Sequence, residues 1–456
     1  MLFSVLSVLG CGPTTATPTG PITPPLYSPV GDWTGDIQLP NGAGMPLVFH
    51  ITEQEDGALG GTIDSPMQDS TGIPIATVTA SGDSLIIDVS DLRASFVGQY
   101  TDKDTIDGTW KQNFASLPLE ITRGAAIAAP SRPQTPQAPF PYSSEELTVS
   151  VGEHSLAGTL TLPEGDGPFP GVVLITGSGP QDRDERIMGH KPFWVLADHL
   201  SRNGIAVFRY DDRGVGQSTG DFATATSADF AQDAAAAMGM LKARPEVRTA
   251  GLIGHSEGGM IAPMIAADSA ADFLVLLAPP AVPIQELMLA QHAAVARSSG
   301  ADQALIDATH PIQKAIFALV AQGDSPENRT AATELIRSAP SAAAIGDEVI
   351  AAQLDSLFSP WMVWFLQHDP TPALSGLQVP VYALWGDLDV QVLSEQNAPA
   401  FTAATASNTA AKAQVFAGLN HLLQPARTGS VAEYGEIETT IDPGVLSAVT
   451  AWIQGL

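Results

Sequence analysis

The chain has 456 residues, of which 44% are hydrophobic and 15% are charged. This composition predicts a folded protein of about two or three domains at ~150 residues each, and it excludes a largely disordered chain. The 20 Lys and Arg against 49 Asp and Glu give a net charge of −29, so we expect no nucleic-acid partner. One cysteine excludes an internal disulfide framework. No apolar run approaches the ~20 residues of a transmembrane helix.

The cysteine lies in an informative place near the N-terminus. Met1–Leu9 is a short apolar stretch, and Val8-Leu9-Gly10-Cys11 resembles a bacterial lipobox, in which the cysteine is lipidated. Residues 1–29 are therefore predicted to be a signal and a Pro/Thr-rich tether of an exported cell-envelope lipoprotein, or otherwise of a secreted protein. The basic segment typical of signal peptides is missing, because the first basic residue is Arg93. The alternative is a chance cysteine in a poorly ordered tail.

Residues 30–124 alternate between apolar and polar residues in short runs, which predicts an all-β domain. Five runs read as strands of an antiparallel barrel or sandwich: Pro46–Glu53, Ile73–Ala80, Ser84–Val89, Ala94–Tyr100 and Thr105–Lys111. We expect the aromatic residues of this block to fill its own core. Residues 125–142 are rich in proline and lack a hydrophobic period, so they are predicted to be a linker.

Residues 143–282 and 371–456 have a different pattern, in which continuous apolar runs alternate with helical stretches. The runs are Gly171–Thr176, Ile205–Tyr210, Ala250–Gly254, Phe273–Leu277 and Val381–Trp385. Such runs are typical of strands buried on both faces, so we predict an α/β domain with a mainly parallel central sheet. Residues 283–370 contain no convincing strand, and they are predicted to be a helical cap inserted over the sheet.

Two pentapeptides match G-x-S-x-G, around Ser218 and around Ser256. A nucleophile elbow requires a strand that runs directly into the first glycine and a helix that follows the serine. Ser256 meets both conditions. Ser218 meets neither, because a polar loop precedes it and no helix start follows it. We therefore predict that Ser256 is a catalytic nucleophile and Ser218 an ordinary turn serine.

A serine nucleophile requires a base and an acid, which follow it in the chain order Ser, acid, His. His421 is the only histidine beyond the acidic pair at Asp387 and Asp389, so it is the predicted base. We predict Asp389 as the acid, since Asp387 directly follows Gly386 and would suit a turn brace. The oxyanion donors are predicted to be the backbone N–H groups of Glu257 and Ser178, with Gly179 as the alternative to Ser178.

Four segments together resemble bacterial carboxylesterases of the α/β-hydrolase fold, related to the prolyl-oligopeptidase clan. These are Gly177–Glu185 (GSGPQDRDE), Arg209–Gly216 (RYDDRGVG), Gly254–Gly259 (GHSEGG) and Leu419–His421 (LNH). The resemblance covers roughly Glu145–Leu456. It implies serine esterase activity on acyl esters, with no metal or organic cofactor.

The predicted function is hydrolysis of short- to medium-chain or aryl esters through an acyl-enzyme. A serine peptidase or a thioesterase on the same fold is the alternative, and an envelope binding lipoprotein is the non-enzymatic one. Trp361 and Trp364 near the end of the cap are predicted to line an apolar substrate pocket. No zinc, nucleotide or Walker motif is present. Asp182, Arg183 and Asp184 are expected to brace their loop. The expected partners are a small-molecule or oligomeric ester substrate and a membrane tether through lipidated Cys11, and the sequence does not indicate an oligomeric state.

Overall fold

The structure is a computed structural model, which describes residues 24–38, 44–54, 56–68, 70–112, 115–124, 130–266, 271–339 and 346–456. Cys11 lies outside these residues, so its predicted lipidation stays a prediction. The chain divides into two compact units. The larger contains Arg132–Ala339 and Ala352–Leu456, and the smaller contains the N-terminal strands and the short segment before Ala352. The predicted domain boundaries stay predictions.

In the described part of the smaller unit, nine strands form one antiparallel sheet in the order β4-β3-β2-β1-β9-β8-β7-β6-β5. The strands are β1 (Gly31–Gln38), β2 (Gly44–Glu53), β3 (Leu59–Ser65), β4 (Ser70–Pro74), β5 (Thr77–Ser81), β6 (Ser84–Val89), β7 (Ala94–Asp102), β8 (Thr105–Gln112) and β9 (Ala115–Arg123). Trp33, Phe49, Phe96 and Trp110 are buried in its interior. The sequence pattern thus correctly predicts an antiparallel β-domain whose aromatic residues fill the core.

The predicted single strand Ile73–Ala80 is wrong, because the chain crosses there from one edge of the sheet to the other. The N–H of Ile75 donates to the carbonyl of Gly61 in β3, whereas the N–H of Ala76 donates to the carbonyl of Asp88 in β6. β3 and β5 are therefore in contact, and the sheet curls so that its two edges approach each other as in a half-barrel.

In the described part of the larger unit, eight strands form the central sheet in the order β10-β11-β13-β12-β14-β15-β16-β17. They are β10 (Tyr142–Val151), β11 (His154–Pro163), β12 (Phe169–Ile175), β13 (Ala206–Tyr210), β14 (Val247–His255), β15 (Phe273–Leu277), β16 (Val381–Gly386) and β17 (Ala411–Phe416). β10 and β11 pair antiparallel, and β12 to β17 pair parallel. The predicted mainly parallel α/β sheet is confirmed.

The helices of the larger unit include the connections between these strands and a long insertion between β15 and β16. The connections and the C-terminal helix are α1 (Pro192–Arg202), α2 (Ser227–Lys242), α3 (Glu257–Ala266), α10 (Ser394–Ala404) and α11 (Pro443–Gln454). The insertion holds α4 (Ile284–Ser298), α5 (Gln303–Val320), α6 (Pro326–Ser338), α7 (Asp347–Leu357), α8 (Pro360–Gln367) and α9 (Thr371–Ser375), and the part of α7 before Ala352 belongs to the smaller unit. Among the described residues no single helix has the length and hydropathy of a membrane span. α7 and α8 reach that length and hydropathy only when they are taken together, and they are bent by 56° relative to each other.

The parallel strands all point the same way, so the loops that follow them gather at one edge of the sheet. β12, β14 and β16 are buried along most of their length, and their apolar side chains form the core together with α1 and α11. In open parallel sheets, ligands bind at this carboxyl edge. The loops after these strands carry Ser178, Ser256 and Asp389, and the loop after β17 carries His421.

Candidate active site

Ser256 is the single residue between the end of β14 and the start of α3. Its φ of 53° lies in the left-handed region, where a non-glycine residue is strained. The glycines on either side are needed for close packing: a Cβ on Gly254 would collide with the backbone of Gly258, and a Cβ on Gly258 would collide with the carbonyl of Ile175. The local chain therefore has the geometry of a nucleophile elbow.

Ser218, in the second pentapeptide, lies in a different setting. It is buried, its hydroxyl donates to the carbonyl of Asp211 at 2.7 Å, and the same oxygen accepts the N–H of Ala157 at 2.9 Å. Both bonds hold the loop against β11. The Ser218 hydroxyl therefore has a structural role, as expected for a turn serine.

His421 pairs with Asp389. Its Nδ1 lies 2.8 Å from Oδ2 of Asp389, and both side chains are buried. The other carboxylate oxygen accepts the N–H groups of Gln391 and Val392 at 2.7 and 2.9 Å, which fixes the orientation of the carboxylate. A carboxylate only accepts hydrogen bonds, so Nδ1 carries the proton and the lone pair of the neutral ring is on Nε2.

Asp387, the alternative acid, is exposed. Its Oδ1 accepts the N–H of Gly418 at 2.6 Å, across the turn that follows β17. The structure thus brings Asp389 to His421 and gives Asp387 the role of a turn brace.

Ser256 and His421 line one open cleft, whose empty space of about 750 Å³ includes open solvent. Ser178, Glu257 and Trp361 also line this cleft. Most of the remaining wall is apolar and comes from several loops and helices: Ile187, Pro280, Leu287, Met288, Phe365, Val392 and Leu422. Gln181, Gln291 and Gln391 add neutral polar groups.

Two buried carboxylates anchor the loop that follows β12. The N–H of Gly177 donates to Glu185 at 2.7 Å, and the N–H of Gln181 donates to Asp212 at 3.0 Å. Because the Gly177 N–H is occupied, an anion in the cleft would meet Ser178 as the next donor, and Ser178 lines the cleft. Glu257 is the first residue of α3, where backbone N–H groups have no partner within the helix. Both predicted oxyanion donors therefore border the same space as Ser256.

The side chain of Glu257 has a role that the sequence did not indicate. Its carboxylate accepts the Ser227 hydroxyl at 2.6 Å and the Trp361 indole N–H at 2.8 Å, and it bonds to the hydroxyl of Ser178. Burial raises its pKa, and these three donors act against that rise. Glu257 thereby joins the elbow to the loop after β12 and to α8.

The prediction that Trp364 lines the pocket is wrong. Trp364 stacks on His368, with ring centroids 4.7 Å apart, and it is not part of the cleft wall. Trp361 lines the cleft and stacks on Phe365 at 4.8 Å. The two tryptophans are one helical turn apart, and each packs on the residue four positions further along the chain.

The loop residues Asp182, Arg183 and Asp184 are ion-paired, as expected for a brace. Arg183 reaches Asp211 at 2.7 Å and also contacts Glu146. Asp184 pairs with the buried Arg209, and Asp182 pairs with Arg186 at 2.7 Å. Within the described residues, no group of three or more His, Cys, Asp and Glu has the arrangement of a metal site.

Comparison with known proteins agrees with this geometry. Residues 192–424 match the family model described as Hydrolase_4: Serine aminopeptidase, S33, which covers about half of the chain. The chain belongs to this family. It is thus an α/β hydrolase, and the family match contains the elbow, the acid loop and the histidine loop.

One curated relative is the esterase EstD of Thermotoga maritima, 42% identical over 148 residues. The alignment covers 32% of this chain and 35% of EstD, so only about a third of that protein is matched. Two solved structures are also similar. The Pyrococcus furiosus esterase Pf2001 is 14% identical with a TM-score of 0.42, covering 73% of this chain and 99% of that one. The Mycobacterium smegmatis proline iminopeptidase is 17% identical with a TM-score of 0.40, covering 68% and 98%.

Proposed function

We propose that the protein is a serine carboxylesterase that works through an acyl-enzyme. Ser256 Oγ attacks the ester carbonyl while Nε2 of His421 takes its proton, and the N–H groups of Ser178 and Glu257 hold the oxyanion. The same proton then goes to the leaving alcohol. Water, deprotonated by His421, releases the acid. The observation that supports this most is the shared cleft of Ser256 and His421, with Asp389 2.8 Å behind the imidazole.

The cleft favours esters over peptides with a free amino terminus. An aminopeptidase must bind a substrate ammonium, which requires an acceptor such as a carboxylate. Among the described residues that line the cleft, the carboxylates are Glu185 and Glu257. Glu257 already accepts three donors and Glu185 holds both His255 and Gly177, so both carboxylates have structural roles that binding an ammonium group would disturb. The partial identity with the esterase EstD supports the same choice.

The wall of the cleft indicates an uncharged, mainly apolar acyl or aryl group. Aliphatic and aromatic side chains form the largest group in this wall, and three glutamines add neutral polar contacts. The ionisable side chains Glu185, Glu257 and His255 are bonded to other parts of the protein. Apolar walls with a few neutral polar groups are typical of small-molecule sites. We therefore propose short- to medium-chain or aryl esters as substrates, with the helical insertion acting as a cap.

A substrate panel tests the choice between ester and peptide hydrolysis. Nitrophenyl acetate, butyrate, octanoate and palmitate would be compared with an acyl thioester and with alanyl and prolyl nitroanilides, using Ser256→Ala as the background control. We expect kcat/KM for one of the shorter oxygen esters to exceed that of both nitroanilides by about 100-fold or more. Faster cleavage of a nitroanilide would favour the peptidase, and a preferred thioester would favour the thioesterase. If no substrate is turned over in a Ser256-dependent way, the non-enzymatic alternative, an envelope binding lipoprotein, would be favoured.

We also propose that the mature chain is anchored to the cell envelope through lipidated Cys11. The proposal rests on the lipobox-like sequence and the Pro/Thr-rich segment after it. Expression behind a functional export signal, followed by membrane fractionation and intact mass, compares the wild type with Cys11→Ala. We expect a lipid mass and membrane association only in the wild type. A wild type that is unmodified in the soluble fraction would contradict the anchor but not the esterase.

A further inference from the structure

A second histidine–carboxylate pair lies beside the first. His255 immediately precedes Ser256, and it is buried. Its Nδ1 lies 2.9 Å from Oε1 of Glu185, and its Nε2 lies 3.1 Å from the backbone carbonyl of His421. The two imidazole rings are 4.9 Å apart. The mechanism proposed above does not use this pair.

The partners of His255 determine its protonation state. A carboxylate and a backbone carbonyl only accept hydrogen bonds, so both ring nitrogens must donate if both bonds are made. A neutral imidazole has one N–H, and only the imidazolium satisfies both contacts. His190 is a contrast within the same unit, since its Nδ1 faces the hydroxyl of Thr440, which can donate. His190 can therefore satisfy its contacts while neutral.

The charges around His255 favour the same state. Burial lowers the pKa of His255. The charges of Glu185 and Asp389 and the hydrogen bond to the His421 carbonyl raise it by more than burial lowers it, so the net shift is upward. Glu185 and Asp389 are the carboxylates that act on this ring, and His421 is the facing titratable base. An imidazolium so enclosed keeps its proton above the ordinary range of histidine.

Glu185 connects His255 to the oxyanion loop. The oxygen that faces His255 also accepts the N–H of Gly177 at 2.7 Å. Glu185 itself is buried and has a φ of 51°, a strained conformation for a residue with a Cβ. One ion pair thus links three segments: the loop after β12, the elbow, and the loop that carries the catalytic base.

We propose that His255 is a positioning residue that acts as a buried cation, and that Glu185 is its counter-ion. Protonated His255 holds the backbone of His421 on one side and, through Glu185, the Gly177–Ser178 segment on the other. Loss of the proton removes one of the two hydrogen bonds and loosens the base or the oxyanion loop. This inference rests on the proposed esterase function, and it adds an alkaline limit to the activity.

The test is the pH profile of kcat/KM for the best ester of the panel. In the wild type we expect kcat/KM to fall on the alkaline side as His255 loses its proton. Glu185→Gln removes the counter-ion, so the alkaline limb should move about one pH unit lower or more. His255→Gln keeps an N–H donor but cannot titrate, so this limb should disappear. We expect kcat of both variants to fall about 10- to 100-fold with KM changed less than about threefold.

His154→Gln is the matched control, because His154 pairs with Asp233 at 2.8 Å outside the cleft. It should leave the alkaline limb unchanged. An alkaline limb that persists in His255→Gln would overturn the proposal even if that variant is less active.

A second measurement does not depend on activity. In ¹⁵N-histidine NMR, the resonances lost in His255→Gln should show both ring nitrogens protonated at pH 7.5, and a neutral ring at that pH would overturn the proposal. A wild type that fails on every substrate but shows this imidazolium would refute the esterase, not the charge of His255.

Discussion

Replacing Asp389 by asparagine changes the tautomer of His421 while keeping the size and most contacts of the side chain. The amide oxygen can still accept the N–H groups of Gln391 and Val392, which hold the wild-type carboxylate at 2.7 and 2.9 Å. The NH₂ group then faces Nδ1 of His421, where the carboxylate oxygen lies at 2.8 Å. Two donors cannot share a hydrogen bond, so Nδ1 loses its proton and Nε2 gains one.

The cost of this change is set by the loss of the base. With a proton on Nε2, His421 cannot accept the proton of Ser256. In serine hydrolases this tautomer error lowers kcat by ~10⁴, which corresponds to about 5.5 kcal/mol in the activation free energy. The fold should stay intact, because the carboxylate and the amide are nearly the same size. We expect a folded Asp389→Asn enzyme with ~10⁴-fold lower kcat on the best ester of the panel.

Asp387→Asn is the matched control, two residues away in the same loop. Its oxygen accepts only the N–H of Gly418 at 2.6 Å, and an amide oxygen can do the same. We expect kcat within about threefold of the wild type and a stability loss of about 1 kcal/mol or less. Steady-state kinetics and thermal unfolding of both variants decide the matter. An active Asp389→Asn together with an inactive Asp387→Asn would refute the assignment of the acid.

Three further predictions follow from the same structure. Ser256→Ala should lower kcat by ~10⁴-fold or more and Ser218→Ala by less than about threefold in the ester assay; the reverse order would contradict the elbow assignment. Trp361→Ala should change the ratio of kcat/KM between butyrate and octanoate esters, whereas Trp364→Ala, outside the cleft, should leave that ratio unchanged. Burial lowers the pKa of His190 to about 4, so the stability from its neutral form is present above its unfolded pKa of 6.5 and is lost as the pH falls towards 4. Urea unfolding at pH 7 and pH 4 should therefore show that His190→Gln loses less stability on acidification than the wild type, by about 3 kcal/mol, and equal losses would contradict this role.

The parallel sheet could be predicted because its central strands are buried on both faces and therefore read as continuous apolar runs. β10 escaped prediction because it mixes exposed and buried positions and pairs antiparallel at the edge. β11 has no exposed position, but glycine and threonines interrupt its apolar residues. β17, at the other edge, has no fully buried position. Edge strands lack the burial that produces a clear sequence pattern. The sequence pattern also predicted β4 and β5 as one strand. The chain changes its partner strand between Ile75 and Ala76, and no residue pattern there indicates the change.

The elbow motif selects Ser256, and the chain order then selects Asp389 and His421, the histidine that follows the acidic pair. The contacts of Glu185, His255 and the Glu257 side chain could not be predicted. His255 and Glu185 are 70 residues apart, and their pairing depends on how the loop after β12 folds back on the elbow. The sequence did contain one indication: Glu185 and His255 both lie within segments that resemble bacterial carboxylesterases, Gly177–Glu185 and Gly254–Gly259.

The most direct test of the central claim is the site of covalent labelling by a fluorophosphonate. Such a probe reacts only with a serine whose proton can be removed by a nearby base. Intact mass and peptide mapping after labelling at neutral pH should show one adduct per chain, on Ser256, and no adduct in Ser256→Ala. An adduct on Ser218, or no adduct on a folded wild-type protein, would contradict the proposed mechanism.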